Sequence, residues 1–575
     1  MKMKKIFATA LSVALSISAF AADWLPGIDY MYDAMTYSTN QYAGSARTLA
    51  LGNAVTALGG DLGMVVMNPA ASAVAPYSQF TLTPGLSIAS SSAAFSADGS
   101  AFSACPGITK TRFTVPDVSL SLVMDTGNGA GVKNIVFSFE VTQTADFLSS
   151  TSAYGRNPSS SYFAKMASAA KGLDDNILSK RASFFNSDYP WDLLAARQSG
   201  SIGLLTGTDS YLANTQVASG GKVYQPGTIN QQFATQRWGT KTDIILNLGA
   251  NVGDWLYFGL NIGLPYSRYT YQQAWVETPT AEDASRFVQT FTGTSGSVTT
   301  LFQRSELSYN FTSSIDGIYA KLGVIAAPIP GLRLGAAIKT PTMYTITEKA
   351  GYVGKSTFEN NAFSTGIVTF PESDSYTYNL RSPFEFNVGV AYAFGTLGLI
   401  SADYELMDYS VMRLSEIDDN FVGVNAFNDL NLVMNKFCGQ SHSLRLGGEI
   451  NLNDFFALRA GWSFLTSPEK YYTDTAGNEV YAEDYYYTLD YFSLRKAHYI
   501  KNTVTAISFG LGFNPDGPFF MDLAARRTRT PEYTSCLYAP YQATSSTGVS
   551  YIAGAPEANY NNKLWNVALT FGWRF

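Results

Sequence analysis

Two histidines and three cysteines leave this 575-residue chain little scope for catalysis or metal binding. His442 lies in GQSHSLRLGGE. If that run is a strand, side chains alternate between faces, and a serine sharing the face of the imidazole must stand two residues on. That position is Leu444, and Ser443 points to the other face, so a Ser–His hydrolase is not supported. No His, Cys, Asp or Glu spacing matches a metal site, and no Gly-rich run is placed to cradle phosphate. Haem ligation would rest on His442 and His498 with nothing beside them. The expectation is therefore no enzyme, no metal and no cofactor. Cys105, Cys438 and Cys536 are far apart, and an odd count allows one bridge at most.

Composition narrows the class. Aromatic residues make up 14% of the chain and charged residues only 14%, against a usual charged share of about 25%. The N-terminus, MKMKKIFATALSVALSISAFAADW, has a basic start (Lys2, Lys4, Lys5), an apolar stretch from Ile6 to Ile17 and a small-x-small site at Ala19–Ala21. That pattern predicts a secretory signal peptide over residues 1–21, cleaved after Ala21 or Ala22. The stretch is too short for a comfortable membrane helix, and no later segment is long and apolar enough. The net charge is −7, and removing the three leader lysines makes it −10, which argues against nucleic acid as a partner.

The elements that must position any site read as strands. In KNIVFSFEVTQ, Ile135, Phe137, Phe139 and Val141 alternate with smaller or polar residues. DWLYFGLNIGL, PFEFNVGVAYAF, FFALRAGWSF and the final LWNVALTFGWRF repeat the scheme. One face is apolar, while the other favours Gly, Ala, Ser, Asn and scattered charges, as a barrel lumen would. A sandwich core would instead want large aliphatic residues inside. Fourteen strands are predicted, starting near Gln79, Arg112, Lys133, Lys241, Trp255, Ile315, Leu332, Phe384, Leu397, Ser443, Phe455, Thr503, Phe519 and Lys563. Every second connection is a short turn (DTGNGAG, NVGD, PIPG, FGT, LND, NPDG), and the others are long, the largest spanning 147–240. Short turns at one end and long loops at the other predict an all-β, 14-stranded antiparallel transmembrane β-barrel over 79–575. The expected location is the outer membrane of a Gram-negative bacterium, with membrane lipid around the wall. Phe575 resembles the C-terminal signal read by the barrel-assembly machinery, which would then be a partner during insertion.

Residues 22–78 do not alternate. Leu49, Leu51, Val55 and Leu58 give a short, broken helical pattern ended by Gly59 and Gly60. A barrel this wide would pass water if empty, so a plug is physically sensible. Gly44, Ala46 and Arg47, then Thr56 to Asp61, then Asn68, Pro69 and Ala70, followed by such a barrel, resemble the FadL/TodX family of outer-membrane transporters. The resemblance implies an N-terminal hatch inside the lumen over 22–78. It also implies passive uptake of hydrophobic molecules, either long-chain fatty acids or aromatic hydrocarbons, with sideways delivery through a break in the wall. The family's break belongs to the third strand, which here carries no Pro or Gly, whereas Pro84, Gly85 and Pro116 interrupt strands one and two. These interruptions fit either a wall opening or a pair of bulges.

This reading places two further sets of residues. In the largest loop, Phe163, Met166, Ala167, Ala170, Leu173, Ile177 and Leu178 form an apolar helical stripe, followed by Phe184, Phe185, Trp191, Leu193 and Leu194. They suit either an outer groove that captures ligand or a cap packed on the barrel mouth. The lumen face carries Lys321, Arg333, Lys339, Glu385, Asp403, Glu405, Arg445, Glu449, Arg459, Asp522, Arg526 and Arg574. Such charges hold a plug, and Arg459 and Arg526 could also meet a substrate carboxylate. Tyr-, Ser- and Asn-rich loops leave a second function open, a scaffold for secreted proteins at the outer membrane, and a general porin is the third.

Overall fold

A computed structural model describes residues 28–183, 189–293, 296–370, 375–417, 426–488 and 494–575. The expected leader, the first hatch residues, Phe184 and Phe185 lie outside them. Fourteen strands form the wall: β1 Gln79–Ser96, β2 Ile108–Asp125, β3 Val132–Asp146 continued by Ser149–Asn157, β4 Ile229–Val252, β5 Leu256–Pro279, β6 Gly296–Ile329 and β7 Leu332–Lys339 continued by Met343–Phe358. The circuit goes on with β8 Tyr376–Arg381 and Glu385–Ala393, β9 Gly398–Asp408 and Arg413–Glu416, β10 Gln440–Asn451, β11 Phe456–Leu465, β12 Val504–Phe513, β13 Phe519–Arg529 continued by Tyr533–Cys536, and β14 Glu557–Arg574. Each pairs antiparallel with its neighbour, and β14 returns to β1 from Gln79↔Arg574 to Ser96↔Glu557, closing the barrel.

The predicted alternation decides which face looks out. Phe137, Leu246, Leu322, Phe386, Leu446 and Phe509 are exposed on the outside, while their strand neighbours are turned into the lumen. So large an apolar band is stable against lipid and not against water. Among the described residues no helix is long and apolar enough to cross a membrane. The fold is thus a transmembrane β-barrel.

All fourteen predicted strands are present, but several are longer at the loop end. Strand β4 begins at Ile229 and β6 at Gly296, so the largest connection is narrower than 147–240: β3 resumes at Ser149 and the loop proper spans 158–228. The wall is uneven. Strand β6 has 34 residues, and β11 and β12 have 10 each.

The hatch fills the lumen from residue 28. Helix α1 (Asp29–Ser38) lies highest, followed by α2 (Ala46–Ala50) and the short turns Leu62–Met64 and Pro69–Val74. Local capping explains the sequence here. Ser45 caps α2 by accepting from Thr48 N and donates to Asp61 Oδ1 at 2.7 Å, while Asp61 caps the next turn through Gly63 N. Asn68 Oδ1 accepts from Ala70 N, and its Nδ2 donates to the Thr56 carbonyl and to Val324 O of β6. The three motif segments therefore bind one another, and the third binds the wall. Only α2 survives of the expected helical pattern, because the hatch makes its contacts with the wall rather than with a helical partner.

A belt of small lumen residues faces this plug. Gly249 stands opposite Gly259 and Gly259 opposite Gly323; Gly335 is paired with Gly389, Gly447 with Gly461, and Gly510 with Ala524. A Cβ at Gly323 would overlap Asn68, and one at Gly335 would overlap the Thr56 carbonyl. Gly323→Leu and Gly335→Leu should therefore displace the hatch, with a cost of about 1–3 kcal/mol or more per overpacked site. In detergent, limited proteolysis should cut residues 40–75 faster while the barrel keeps its heat-modifiable migration. A hatch as resistant as the parent's would contradict the close fit.

Candidate functional site

The site is the lumen between the hatch and the loops. Its lower boundary is held by ion pairs that link plug to wall. Arg47 Nε reaches Glu449 Oε2 at 2.9 Å, and Arg459 bridges the same carboxylate (2.6 Å) to Asp522. Lys321 pairs with Glu385 at 2.7 Å, each 1% exposed, and Glu385 also accepts from Tyr42 and Asn40 of the hatch. Lys241 Nζ donates to Tyr37 O, Thr39 O and Asn40 Oδ1 of the hatch at 2.8–2.9 Å. Asp403 accepts from Thr56 N, and Arg333 donates to Leu58 O. Of the expected lumen charges, Lys321, Arg333, Glu385, Asp403 and Glu449 thus grip the hatch. Arg459 supports that grip through Glu449, while Arg445 pairs with Glu405 within the wall and Arg574 bonds Asn514. Arg526 differs, since it lines a small cavity of about 50 Å³ and, among the described residues, donates to Ser463 Oγ and the Tyr42 carbonyl and pairs with no acid.

Pro84 and Pro116 meet at one bulge. The β1–β2 register jumps from Thr83↔Asp117 to Gly85↔Thr114, while the β1–β14 pairing skips Thr83 and Pro84 at the same height and keeps its register. The second consequence is larger. Strands β2 and β3 pair only from Asp125↔Asn134 to Asp117↔Thr142, so their ladder stops at Pro116. Above it β2 keeps its bonds to β1 alone. Strand β3 has its own bulge at Thr144, and the carbonyls of Gln143 and Thr144 accept from hatch residues Ala43 N and Gln41 N. Arg112 of β2 reaches across the parted strands, donating to Asp146 Oδ1 at 2.7 Å and Gly239 O at 3.1 Å. The break therefore involves the third strand although its residues Val132–Asp146 include no Pro or Gly. Sequence reasoning missed Arg112 and Asp146; an arginine four residues before a strand proline is the only local sign.

Above the hatch lies a cavity of about 400 Å³. Its walls include Ala89 and Ser91 of β1, Asp146 and Phe147 at the break, and Arg237 and Tyr269 of β4 and β5. It also reaches Thr466 and Pro531 at the tops of the shorter strands. Arg237 lies over the Tyr271 ring at 5.3 Å. The lining is mixed, with hydroxyls beside rings and a guanidinium.

The mouth is closed by packed loops. Phe163, Met166, Trp191 and Leu194 are fully buried and Leu193 nearly so, in a core shared with Phe95, Trp275 and Tyr538. Tyr162 stacks on Trp275 at 4.2 Å. These residues lie in a packed cap, because the helix Tyr162–Ala169 finds its partners in the rest of its own loop and in the connection between β13 and β14. Ser161 caps that helix and donates to Glu277 at 2.5 Å. Also in the cap, the Arg197 guanidinium hydrogen-bonded to Asp175 holds that carboxyl below its ordinary value, and burial pushes Asp192 up. His442 is outside on the wall, its Nδ1 2.7 Å from Tyr404 Oη, and His498 stacks on Tyr471. The three cysteines are free. Among the described residues no group of three or more His, Cys, Asp or Glu side chains could hold a metal ion.

Plugged, closed above and parted at one seam, the molecule is in class a hatch-bearing transmembrane barrel. No family model matches the chain, and no curated protein matches it. Among solved structures it is similar to a Pseudomonas aeruginosa FadL homologue (11% identity, 93% of this chain and 100% of that chain, TM-score 0.47). It is also similar to the P. putida toluene transporter TodX (11%, 93% and 99%, TM-score 0.44) and to the CymD monoaromatic hydrocarbon channel (10%, 92% and 97%, TM-score 0.41). At such identities and TM-scores these likenesses carry no argument, and function has to be read from this chain's own residues.

The Lys321–Glu385 pair tests how the hatch is held. Lys321→Met leaves a buried carboxylate without its cation and should cost about 3–5 kcal/mol, read as a lower thermal transition in detergent. Lys321→Met with Glu385→Gln should recover much of that loss. Equal losses in both variants would mean that the charge pair is not the source.

Proposed function

We propose that this protein is an outer-membrane channel for passive uptake of hydrophobic or amphiphilic molecules, delivering them sideways through the seam between β2 and β3. The observation that carries this reading is that the cavity above the hatch reaches the parted seam at Asp146 and Phe147 on the β3 side and Ala89 and Ser91 of β1, the strand that holds β2, while the hatch blocks the axial route. An apolar solute gains about 0.8 kcal/mol per CH₂ by leaving water, so a path into lipid avoids the cost of a watery pore. Hydroxyls and rings side by side in the cavity suit a molecule with a polar end and an apolar body. Arg112, bonded across the seam, is its latch, and the motif residues of the hatch support the family resemblance carried by the sequence. Fatty acids and aromatic hydrocarbons both fit this class. An open porin fits poorly, because the lumen is plugged.

A second reading, a scaffold for secreted proteins, is favoured by the packed cap, which offers a rigid outer surface built from several loops. Tagged protein that brings down a stoichiometric secreted partner, with no lipid-like small molecule in its extract, would favour it over uptake.

Ala89→Trp with Ala145→Trp fills the cavity beside the seam without touching the hatch ion pairs. Uptake of a fluorescent hydrophobic probe into cells or proteoliposomes should fall on the order of tenfold, equivalent to about 1.4 kcal/mol. Unchanged uptake by a correctly folded double variant would overturn the route.

A further inference from the structure

The outer wall holds a charge arrangement that uptake does not use. Arg381 of β8 and Arg413 of β9 are directly opposite each other in the ladder. Their chain neighbours Leu380 and Leu414 are buried toward the lumen, so both arginines are on the outside, where both are exposed. Like charges directly opposite destabilise a strand pair. Among the described residues neither arginine has an ion pair or a hydrogen bond from its side chain.

Their height is informative. Below Arg381 on the same face β8 exposes Phe384, Phe386, Val390 and Tyr392, and beside it on β7 stands Met343, 54% exposed. Above it the outer face turns polar: Asn379 is opposite Ser415 and accepts from Thr345 Oγ1 at 3.1 Å. The pair thus marks the boundary where the apolar band ends, on the side of the long loops. Arginine forks match phosphate oxygens bidentately, and basic side chains at this level meet lipid headgroups. A similar opposition, Arg529 against Lys563, has its own carboxylate, Glu532, 3.4 Å from Arg529. At Arg381 and Arg413 none of the described residues supplies a countercharge, which leaves the site to an anion from the membrane.

We propose that Arg381 and Arg413 jointly bind the phosphate of an anionic lipid headgroup in the outer leaflet, with its acyl chains lying along Met343 and Phe384. The site rests on the membrane placement of the barrel and is independent of what passes through the lumen. Native mass spectrometry of the full chain in detergent reads it, with phosphatidylglycerol, a bis-phosphorylated lipid A glycolipid, diacylglycerol and inorganic phosphate as probes. The parent should retain either phosphorylated lipid roughly tenfold more than R381Q/R413Q does, equivalent to about 1.4 kcal/mol, while diacylglycerol is retained equally weakly by both. The single variant R381Q, which removes the like-charge opposition, gives the same readout where the double variant assembles poorly. Equal retention by parent and variant overturns the proposal. Displacement of the lipid by millimolar inorganic phosphate alone also overturns it, since the site would then recognise free phosphate. Loss of uptake in the cavity variants leaves this outcome unaffected, because lipid retention is measured without cargo.

Discussion

Everything in this molecule depends on how closely an irregular chain can lie against the inside of the wall. The hatch has little regular structure, so its peptide groups must find partners inside a barrel that crosses a membrane. Gly259, Gly323, Gly335, Gly447 and Gly461 remove the side chains that would hold it away. Longer wall residues then reach its carbonyls: Asn247 to Pro69, Asn261 to Val65, Lys321 to Val66, Arg333 to Leu58 and Ser508 to Ala50. Larger lumen residues at the belt would leave those carbonyls dry and unpaired. Smaller ones in place of Lys321 or Arg333 would leave them out of reach. The alternation of glycine and long polar side chains along each strand is what makes a closed lumen possible.

Strand order and hatch position are legible in the sequence because both have local signatures. Within the apolar band one face must be greasy and the other small or polar, so β5, β8 and β14 announce themselves. Above the band neither face meets lipid and the alternation fades, which is why β4 starts twelve residues and β6 nineteen residues before the expected Lys241 and Ile315. Helix α1 has no such signature. DYMYDAMTYS lacks an aliphatic stripe, since its partners are lumen tyrosines and methionines such as Tyr269, Tyr378 and Met434. Arg112, Asp146 and Arg237 depend on which strands part and which stay paired, and no local pattern encodes that.

The seam between β2 and β3 raises the question of why the wall does not open further. An unpaired strand edge invites slippage or aggregation unless something covers it. Here three things do. Strand β2 keeps a continuous ladder to β1 above the bulge, residues 41–43 of the hatch take the freed carbonyls of β3, and Arg112 ties the two strands by its side chain. Only the first is permanent. The second and third are two hydrogen bonds each, every bond worth about 0.5–3 kcal/mol net, and the proline at the seam's foot prevents the ladder from closing it by extension. The seam is thus held shut weakly in a structure that is otherwise held shut strongly.

The uneven wall also shapes the top of the same cavity. Strands β4 to β7 rise well above the membrane band and carry the packed cap, so the lumen is covered on that side. Strands β11 and β12 end at Leu465 and begin at Val504, low enough that Thr466, Pro468 and Asn502 at their tips line the cavity. The connection between them carries the helix Ala482–Thr488, whose Ala482 and Tyr485 pack in one cluster with α1. The tied seam is the weakest boundary of the cavity, since the floor is fixed by buried ion pairs and backbone contact. Height of wall thus decides which side of the cavity the cap covers.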